Sequence, residues 1–405
     1  MKTNSTLGEV ANFLSGNAWS ASKFKSEGEI PIIRIQNLGE NNASSFVYWD
    51  NNYDSKYVIY KGDMLLSLSG SIKVDIWKGP NALLNQRIVK IKAKEEVNER
   101  WLFWQLSKVL SEIEKMGKLA LVNNVSINDL KAFKVYVPPL EEQKRIAQVL
   151  DKADRLRQKD RQLLQHYDQL LQSVFLDMFG DPVRNEKGWE RGTIRDIITE
   201  AKYGTSKPAE LEGEYPYLRM NNLTYSGSMD FTDLKYINLE AKERDKYLVK
   251  KGDLLFNRTN SKELVGKTAV YRSDTEMAIA GYLIRVRTNE RANTDYISGY
   301  LNSLHGKDTL RGMSKSIVGM ANINAQELQD IKILIPPKAL QDKYAGIVEK
   351  VEEMKHTAIR GIDKSETLFQ SLLQKAFKGE LTLREVAAVG EQVPAKPKFV
   401  ISSIL

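Results

Sequence analysis

Two stretches of this chain carry side chains suited to contact chemistry, and they hold matching places. Ser67-Leu68-Ser69-Gly70-Ser71-Ile72-Lys73 leaves one strand-like run, and Phe256-Asn257-Arg258-Thr259-Asn260-Ser261-Lys262 leaves another. Arg34, Asn85-Gln86-Arg87, Gly204-Thr205-Ser206-Lys207, Arg219 and Asn221 stand in further polar segments beside strand-like blocks. Arginine and lysine suit guanine edges, asparagine and glutamine suit adenine, and serine, threonine and lysine suit phosphates. The candidate contacts to double-stranded DNA are therefore Arg34, Ser69, Gly70, Ser71, Lys73, Asn85, Gln86, Arg87, Gly204, Thr205, Ser206, Lys207, Arg219, Asn221, Arg258, Thr259, Asn260, Ser261 and Lys262. For any single residue the plainer reading is a solvated turn. For the pair 67–73 and 256–262 the recurrence of one strand exit favours function.

Other chemistry is sparsely represented. There is no cysteine, which rules out disulfides and thiolate metal sites. His166, His305 and His356 lie far apart, and the two on the long helical stretches, His166 and His356, read as solvated, so no metal ligand is assigned. A Gly-x-x-x-x-Gly-Lys-Ser/Thr phosphate loop is missing. The Asn-Pro-Pro-aromatic signature of amino-methyltransferases is missing too. Both Pro-Pro pairs sit between Val137 and Leu140 or between Ile335 and Lys338. Asp129-Leu130-Lys131 and Asp330-Ile331-Lys332 each precede a strand and read as helix-end surface. No catalytic residue and no cofactor is assigned. A net charge of +8 modestly favours a polyanionic partner. No apolar run of about 18 residues predicts a membrane span, and MKTNSTLGEVANF lacks an apolar signal core, so a cytoplasmic location is expected.

The elements that position these loops occur twice. VPPLEEQKRIAQVLDKAD opens a helical stretch at Val137, and IPPKALQDKYAGIVEKVEE opens another at Ile335, offset by 198 residues. Ile146, Val149, Ala153, Leu156, Asp160, Leu163, Tyr167, Leu170 and Val174 form a heptad seam with Asp160 as its charged member. Ile347, Val351, Met354, Ala358, Gly361, Ser365, Leu368 and Leu372 continue that pattern in the second copy, where Gly361 predicts a close backbone approach. A single helix is expected from about Asp295 to Leu310, and residues 183–192 read as a linker. The prediction is an α+β chain: recognition domain 1–139, long helix 140–180, recognition domain 181–337, long helix 338–380 and a tail 381–405. Two similar globular domains are separated by two long helices forming an antiparallel coiled coil in a pseudo-twofold repeat. Such paired heads suit a target read as two half-sites.

Over residues 1 to about 380 the chain resembles the specificity subunit of Type I restriction-modification enzymes. The resemblance rests on the two Pro-Pro helix openings, the Gly-Asp-Leu-Leu-type strand exits (Gly62-Asp63-Met64-Leu65 and Gly252-Asp253-Leu254-Leu255), the blocks Pro31–Leu38 and Pro216–Leu223, and Gly188-Trp189-Glu190. It implies two recognition domains reading a split DNA target, helices that set the gap, and no catalytic site in this subunit. It also implies docking of two modification (methyltransferase) subunits, joined by restriction (motor-nuclease) subunits in the full complex. The expected docking residues are Glu141, Glu142, Gln143, Arg145 and Ile146. Lys338, Ala339 and Asp342 depart from the motif where the first copy has Leu140, Glu141 and Lys144, which puts equal docking at the two ends in question. The alternatives are a specificity subunit of a motor-less methyltransferase-nuclease, a DNA-cleaving or DNA-modifying enzyme, or a coiled-coil scaffold without DNA contact.

Overall fold

The computed structural model describes residues 3–39, 46–69, 72–115, 126–261, 263–313, 315–317 and 320–381. The described residues up to Lys159 and from Ile362 onward make one compact unit, and Asp160–Gly361 make a second. Both are α+β and share one plan. Short β-rich runs cut by glycine and proline become short strands rather than long ones.

In the first unit one sheet runs in the order Ala11–Ser15, Ile88–Ala93, Met64–Ser67, Val74–Ile76. A second runs Val47–Trp49, Ile30–Ile32, Ala82–Leu83, Val58–Ile59. The second unit repeats both orders: Ile198–Tyr203, Leu283–Thr288, Leu254–Asn257, Thr268–Val270, then Lys235–Ile237, Tyr215–Leu218, Met277–Ile279, Leu248–Val249. Even the parallel pairing recurs, Ile32 with Leu83 and Leu218 with Ile279. Each unit closes on itself. Thr3–Thr6 pairs antiparallel with Lys134–Val137, and Glu190–Thr193 with Lys332–Ile335.

The long helices span Leu140–Phe179 and Lys338–Lys378, and each gives about half its length to each unit. Pro139 and Pro337 start them, since a proline carbonyl accepts but a proline nitrogen cannot donate. Pro139 O takes the amides of Glu142 and Gln143 at 2.9 and 3.0 Å. Inside each unit the two helices run antiparallel. In the first, Ile146, Val149, Leu150 and Ala153 share a core with Phe369, Leu372, Leu373 and Phe377. In the second, Val174, Phe175 and Met178 share a core with Tyr344, Ile347 and Val351. Fully burying such side chains stabilises by about 1.5–3 kcal/mol each.

Three expectations need correction. The helix expected from Asp295 to Leu310 is two, Thr294–Asn302 and Leu304–Met313. Ser303 breaks it with ψ 162°, and its hydroxyl accepts from Gly306 N at 3.1 Å, capping the second helix. Gly361 makes no close backbone approach, because a Cβ there would meet nothing nearer than Asp160 Oδ2 at 3.9 Å. Residues 183–192 are a folded cap, not a loose linker. Lys187 Nζ donates to the carbonyls of Asp177 and Met178 at 2.6 and 3.1 Å, and the Trp189 indole donates to Phe179 O at 2.9 Å. These bonds satisfy carbonyls that a helix end leaves open.

Candidate nucleic-acid interface

A conserved backbone frame (conserved between the two units) carries the candidate loops. Gly16 N donates to Ile88 O at 3.0 Å, and Gly204 N donates to Leu283 O at 3.1 Å. A Cβ on Gly16 would lie 2.1 Å from Asn85 O, and one on Gly204 2.2 Å from Ile279 O. Only glycine fits that approach, so packing requires Gly204. Leu68 N then donates to Arg87 O, and Arg258 N to Tyr282 O, both at 3.0 Å. Ser67 N to Lys73 O at 3.0 Å is matched by Asn257 N to Lys267 O at 2.8 Å. The two strand exits named from sequence thus hold one place in the fold, each beside a second turn distant in sequence.

Each unit also holds the same buried asparagine turn. Asn37 Oδ1 accepts from Arg34 N at 2.9 Å and Asn222 Oδ1 from Arg219 N at 2.8 Å; both asparagines are almost fully buried. In the first unit this turn is joined to the exit loop by Lys73. Its ammonium donates to Leu38 O at 2.8 Å, and its amide to Ser67 Oγ at 2.9 Å. Residues 34–38, 67–69, 72–73 and 85–87 therefore converge. Gln86 and Arg87 are exposed there, while Asn85, Ser69 and Lys73 are half-buried. Gly70, Ser71 and Lys262 lie outside the described residues.

The second unit fills the frame with different side chains. The Arg258 guanidinium lies 4.8 Å above the Tyr203 ring, and the Tyr203 hydroxyl accepts from Ala325 N at 2.8 Å. Tyr203 and Tyr282 are 38% and 54% exposed, large aromatic areas for a loop otherwise polar. Sequence reasoning named Arg258 but missed both tyrosines and the buried Lys267. The period-2 pattern of Ile198–Tyr203 was the one signal that could have placed Tyr203 at a strand end. Asn260 and Ser261 are half-buried here, and Ser206 is exposed.

Several expected contacts are buried or already paired within the unit. Thr205 and Thr259 are 4% and 8% exposed, Thr259 being held in a strand pair with Asn322. Arg219 and Asn221 both bind Asp233, at 2.8 and 3.0 Å. The Arg219 hydrogen bond holds the Asp233 carboxyl below its ordinary range. Lys207 is paired with Glu243 at 2.5 Å, which raises the lysine and lowers the glutamate. Water screens surface pairs of this kind, so they occupy these side chains without locking them.

The expected docking set divides in the same way. Gln143 and Ile146 are each 1% exposed and belong to the interior of the first unit. Gln143 Oε1 accepts from Asn98 N at 2.7 Å, and its Nε2 donates to Pro138 O at 2.9 Å. Gln341 repeats this with Asn293 N at 2.8 Å and Pro336 O at 2.8 Å. The motif glutamine ties the start of each long helix to the cap of the helix Glu99–Lys115 or Thr294–Asn302. Glu141, Glu142 and Arg145 remain at the surface, with Glu141 paired to Lys144 at 2.7 Å. At the second helix Lys338 and Asp342 pair at 2.5 Å instead, and the acidic first turn is gone.

The comparisons with known proteins agree with this architecture. The family model described as "Type I restriction modification DNA specificity domain" matches residues 2–166 and 186–365. The chain is 24% identical over 411 residues to the Type I restriction enzyme EcoBI specificity subunit of Escherichia coli, covering 93% of this chain and 85% of that one. It is 26% identical over 300 residues to the EcoKI specificity subunit of Escherichia coli strain K12, covering 69% of this chain and 64% of that one. Its fold is similar to that of the Type-I restriction-modification S subunit from M. genitalium, at TM-score 0.50 and 16% identity over 93% of this chain and 96% of that chain. A structure described for complex assembly and conformational transition of the type I R-M system is similar at TM-score 0.52 and 17% identity, over 94% and 98% of the two chains. With one frame built twice and both copies matched by the family model, the chain belongs to the Type I restriction-modification DNA specificity family.

Proposed function

We propose that this chain is the DNA-reading subunit of a Type I restriction-modification complex, in which each unit reads one half of a split target. One observation carries the reading: the two units place the same strand exit and the same neighbouring turn, yet fill them with different chemistry. Leu68 and Arg87 stand in the first unit where Arg258 and Tyr282 stand in the second. A shared frame with unlike contact residues suits two different half-sites. Arg87, Gln86, Arg258, Asn260, Ser261, Tyr203 and Tyr282 are the residues in place to meet DNA. Lys73, Lys207, Arg219 and Asn221 set the loops and the local charge.

The chain contributes recognition and scaffolding, and the bond-making groups come from its partners. Two methyltransferase subunits would dock near the long-helix starts, one end offering Glu141, Glu142 and Arg145 and the other Lys338 and Asp342. Restriction subunits would join them in the cytoplasm. A 40-residue helix is about 60 Å long at about 1.5 Å per residue, a reach of a little under two turns of duplex at about 34 Å per turn rather than one groove.

Methylation mapping in a host carrying this chain with its methyltransferase tests the reading. Two short specific halves around a fixed unspecified gap are expected, and removing one heptad from a long helix should change the gap alone. A continuous target, or half-sites altered by the heptad deletion, would overturn it.

A further inference from the structure

Within the second unit a cavity of about 260 Å³ is walled by the turn Tyr225–Gly227, the helices Thr294–Asn302 and Leu304–Met313, and facing stretches of the two long helices. Lys307 lines it, is 6% exposed, and has an ammonium with no hydrogen-bond partner among the described residues. The Tyr225 ring lies 4.4 Å from it. The charges acting on it are cations, Arg311 and Lys267. The carboxylates of the wall are matched elsewhere. Asp168 and Glu352 reach Lys355 at 2.6 and 2.9 Å, and Asp295 is paired with Arg272.

A second group in the same wall is also incomplete. Asn302 Nδ2 donates to Thr268 O at 2.9 Å and Ser298 O at 3.0 Å, and its Oδ1 is buried without a partner. The cavity thus offers an uncompensated cation and an unfilled acceptor. A buried ammonium without a counter-charge is costly. Burial and the two neighbouring cations push Lys307 down to about 8, from 10.5. An oxyanion would supply the missing charge, and one that keeps an O–H would also donate to Asn302 Oδ1. A phosphate monoester or inorganic phosphate has both features, whereas a diester of the DNA backbone has no O–H to give.

We propose that this cavity is a binding site for inorganic phosphate or a phosphate monoester, with Lys307 as counter-ion and Asn302 Oδ1 as acceptor. Its lining includes none of the candidate DNA-contact residues, and the proposal stands whether or not those loops read DNA. Calorimetric titration of the full chain at pH 7 with inorganic phosphate tests it, with dimethyl phosphate and a short duplex as comparison ligands. Saturable one-site binding of phosphate is expected, weaker by about tenfold or more in Lys307→Met, as befits loss of a charge-assisted hydrogen bond. Lys307→Arg should retain most of the affinity, and dimethyl phosphate should bind less tightly. Lys307→Met removes a buried charge and keeps the apolar stem, and thermal unfolding verifies its fold. Absence of saturable phosphate binding, or equal binding by Lys307→Met, would overturn the proposal. So would a Lys307 dependence confined to the duplex, which would make the anion a backbone diester.

Discussion

Arg157 and Lys355, 198 residues apart, make the same two ion pairs in the two units. Arg157 pairs with Asp154 on its own helix and with Glu366 on the other, at 2.5 and 3.0 Å. Lys355 pairs with Glu352 on its own helix and with Asp168 on the other, at 2.9 and 2.6 Å. Every member of one set sits 198 residues from its counterpart in the other, so the antiparallel helix register is written twice. Arg157 also lies 3.8 Å over the Phe369 ring, while Lys355 is nearly fully buried.

Lys355→Met is therefore expected to destabilise the second unit by about 1.5–3 kcal/mol, because the largely buried Glu352 and the partly exposed Asp168 lose their cation. Burial works to lower the Lys355 pKa, but the pairs with Glu352 and Asp168 win and raise it above 10.5. Its contribution is fully present below that ordinary value and is lost as pH rises through the raised one. Denaturant unfolding between pH 7 and 11 should show the wild type losing stability at the alkaline end more steeply than the variant.

Lys307→Met should act in the opposite sense. The folded pKa of about 8 lies below the ordinary 10.5, so the charged side chain is a burden below about 8 that lifts as pH rises toward 10.5. In phosphate-free buffer at pH 7 the variant should be more stable by roughly 1–3 kcal/mol, one pKa unit being worth about 1.4 kcal/mol. The rise in stability across that window should disappear in the variant. An unchanged pH profile would show that Lys307 is not the group involved.

Gln143→Leu and Gln341→Leu should each cost about 2–4 kcal/mol, leaving a buried amide at Asn98 or Asn293 and a proline carbonyl unsatisfied. Chemical denaturation of each single variant measures this. A cost below about 0.5 kcal/mol would mean the tie is not structural.

Gly361→Ala should stabilise by up to about 1 kcal/mol, since the helix interior there has room for a Cβ and glycine is a poor helix former. Thermal unfolding is the measurement, and a loss of stability would reveal a close packing that the 3.9 Å clearance to Asp160 does not show.

Arg258→Ala and Arg87→Ala should each relax the specificity of a different half-site, by about 1–3 kcal/mol per lost base contact. Tyr282→Ala should weaken the Arg258 half alone. Methylation mapping of the three variants checks this, and loss at the same half for Arg87 and Arg258 would refute separate readers.

Much of this protein was legible in its residues because the repeat states its own correspondences. The Pro138-Pro139 and Pro336-Pro337 openings, the seam through Ile146 and Ile347, and the Lys-Gly-Asp exits at Gly62 and Gly252 follow from local rules: proline starts, helical periodicity and positive-φ turns. The family resemblance followed from the same segments. What a side chain touches was not local. Gln143 reads as a surface residue in a charged first turn, and only the return of Asn98 beside it makes it a buried tie. Arg219 reads as a free cation until the chain brings Asp233 back to it at 2.8 Å. Leu68 and Arg258 became equivalents, with Arg87 and Tyr282 beside them, through backbone bonds between strands far apart in sequence. Lys307, near the start of a short helix, showed nothing in the sequence of its unpaired state. Periodicity and turn chemistry report on a residue's neighbours along the chain; partner choice, desolvation and cavity shape arise from neighbours across it, and only the tertiary structure decided those.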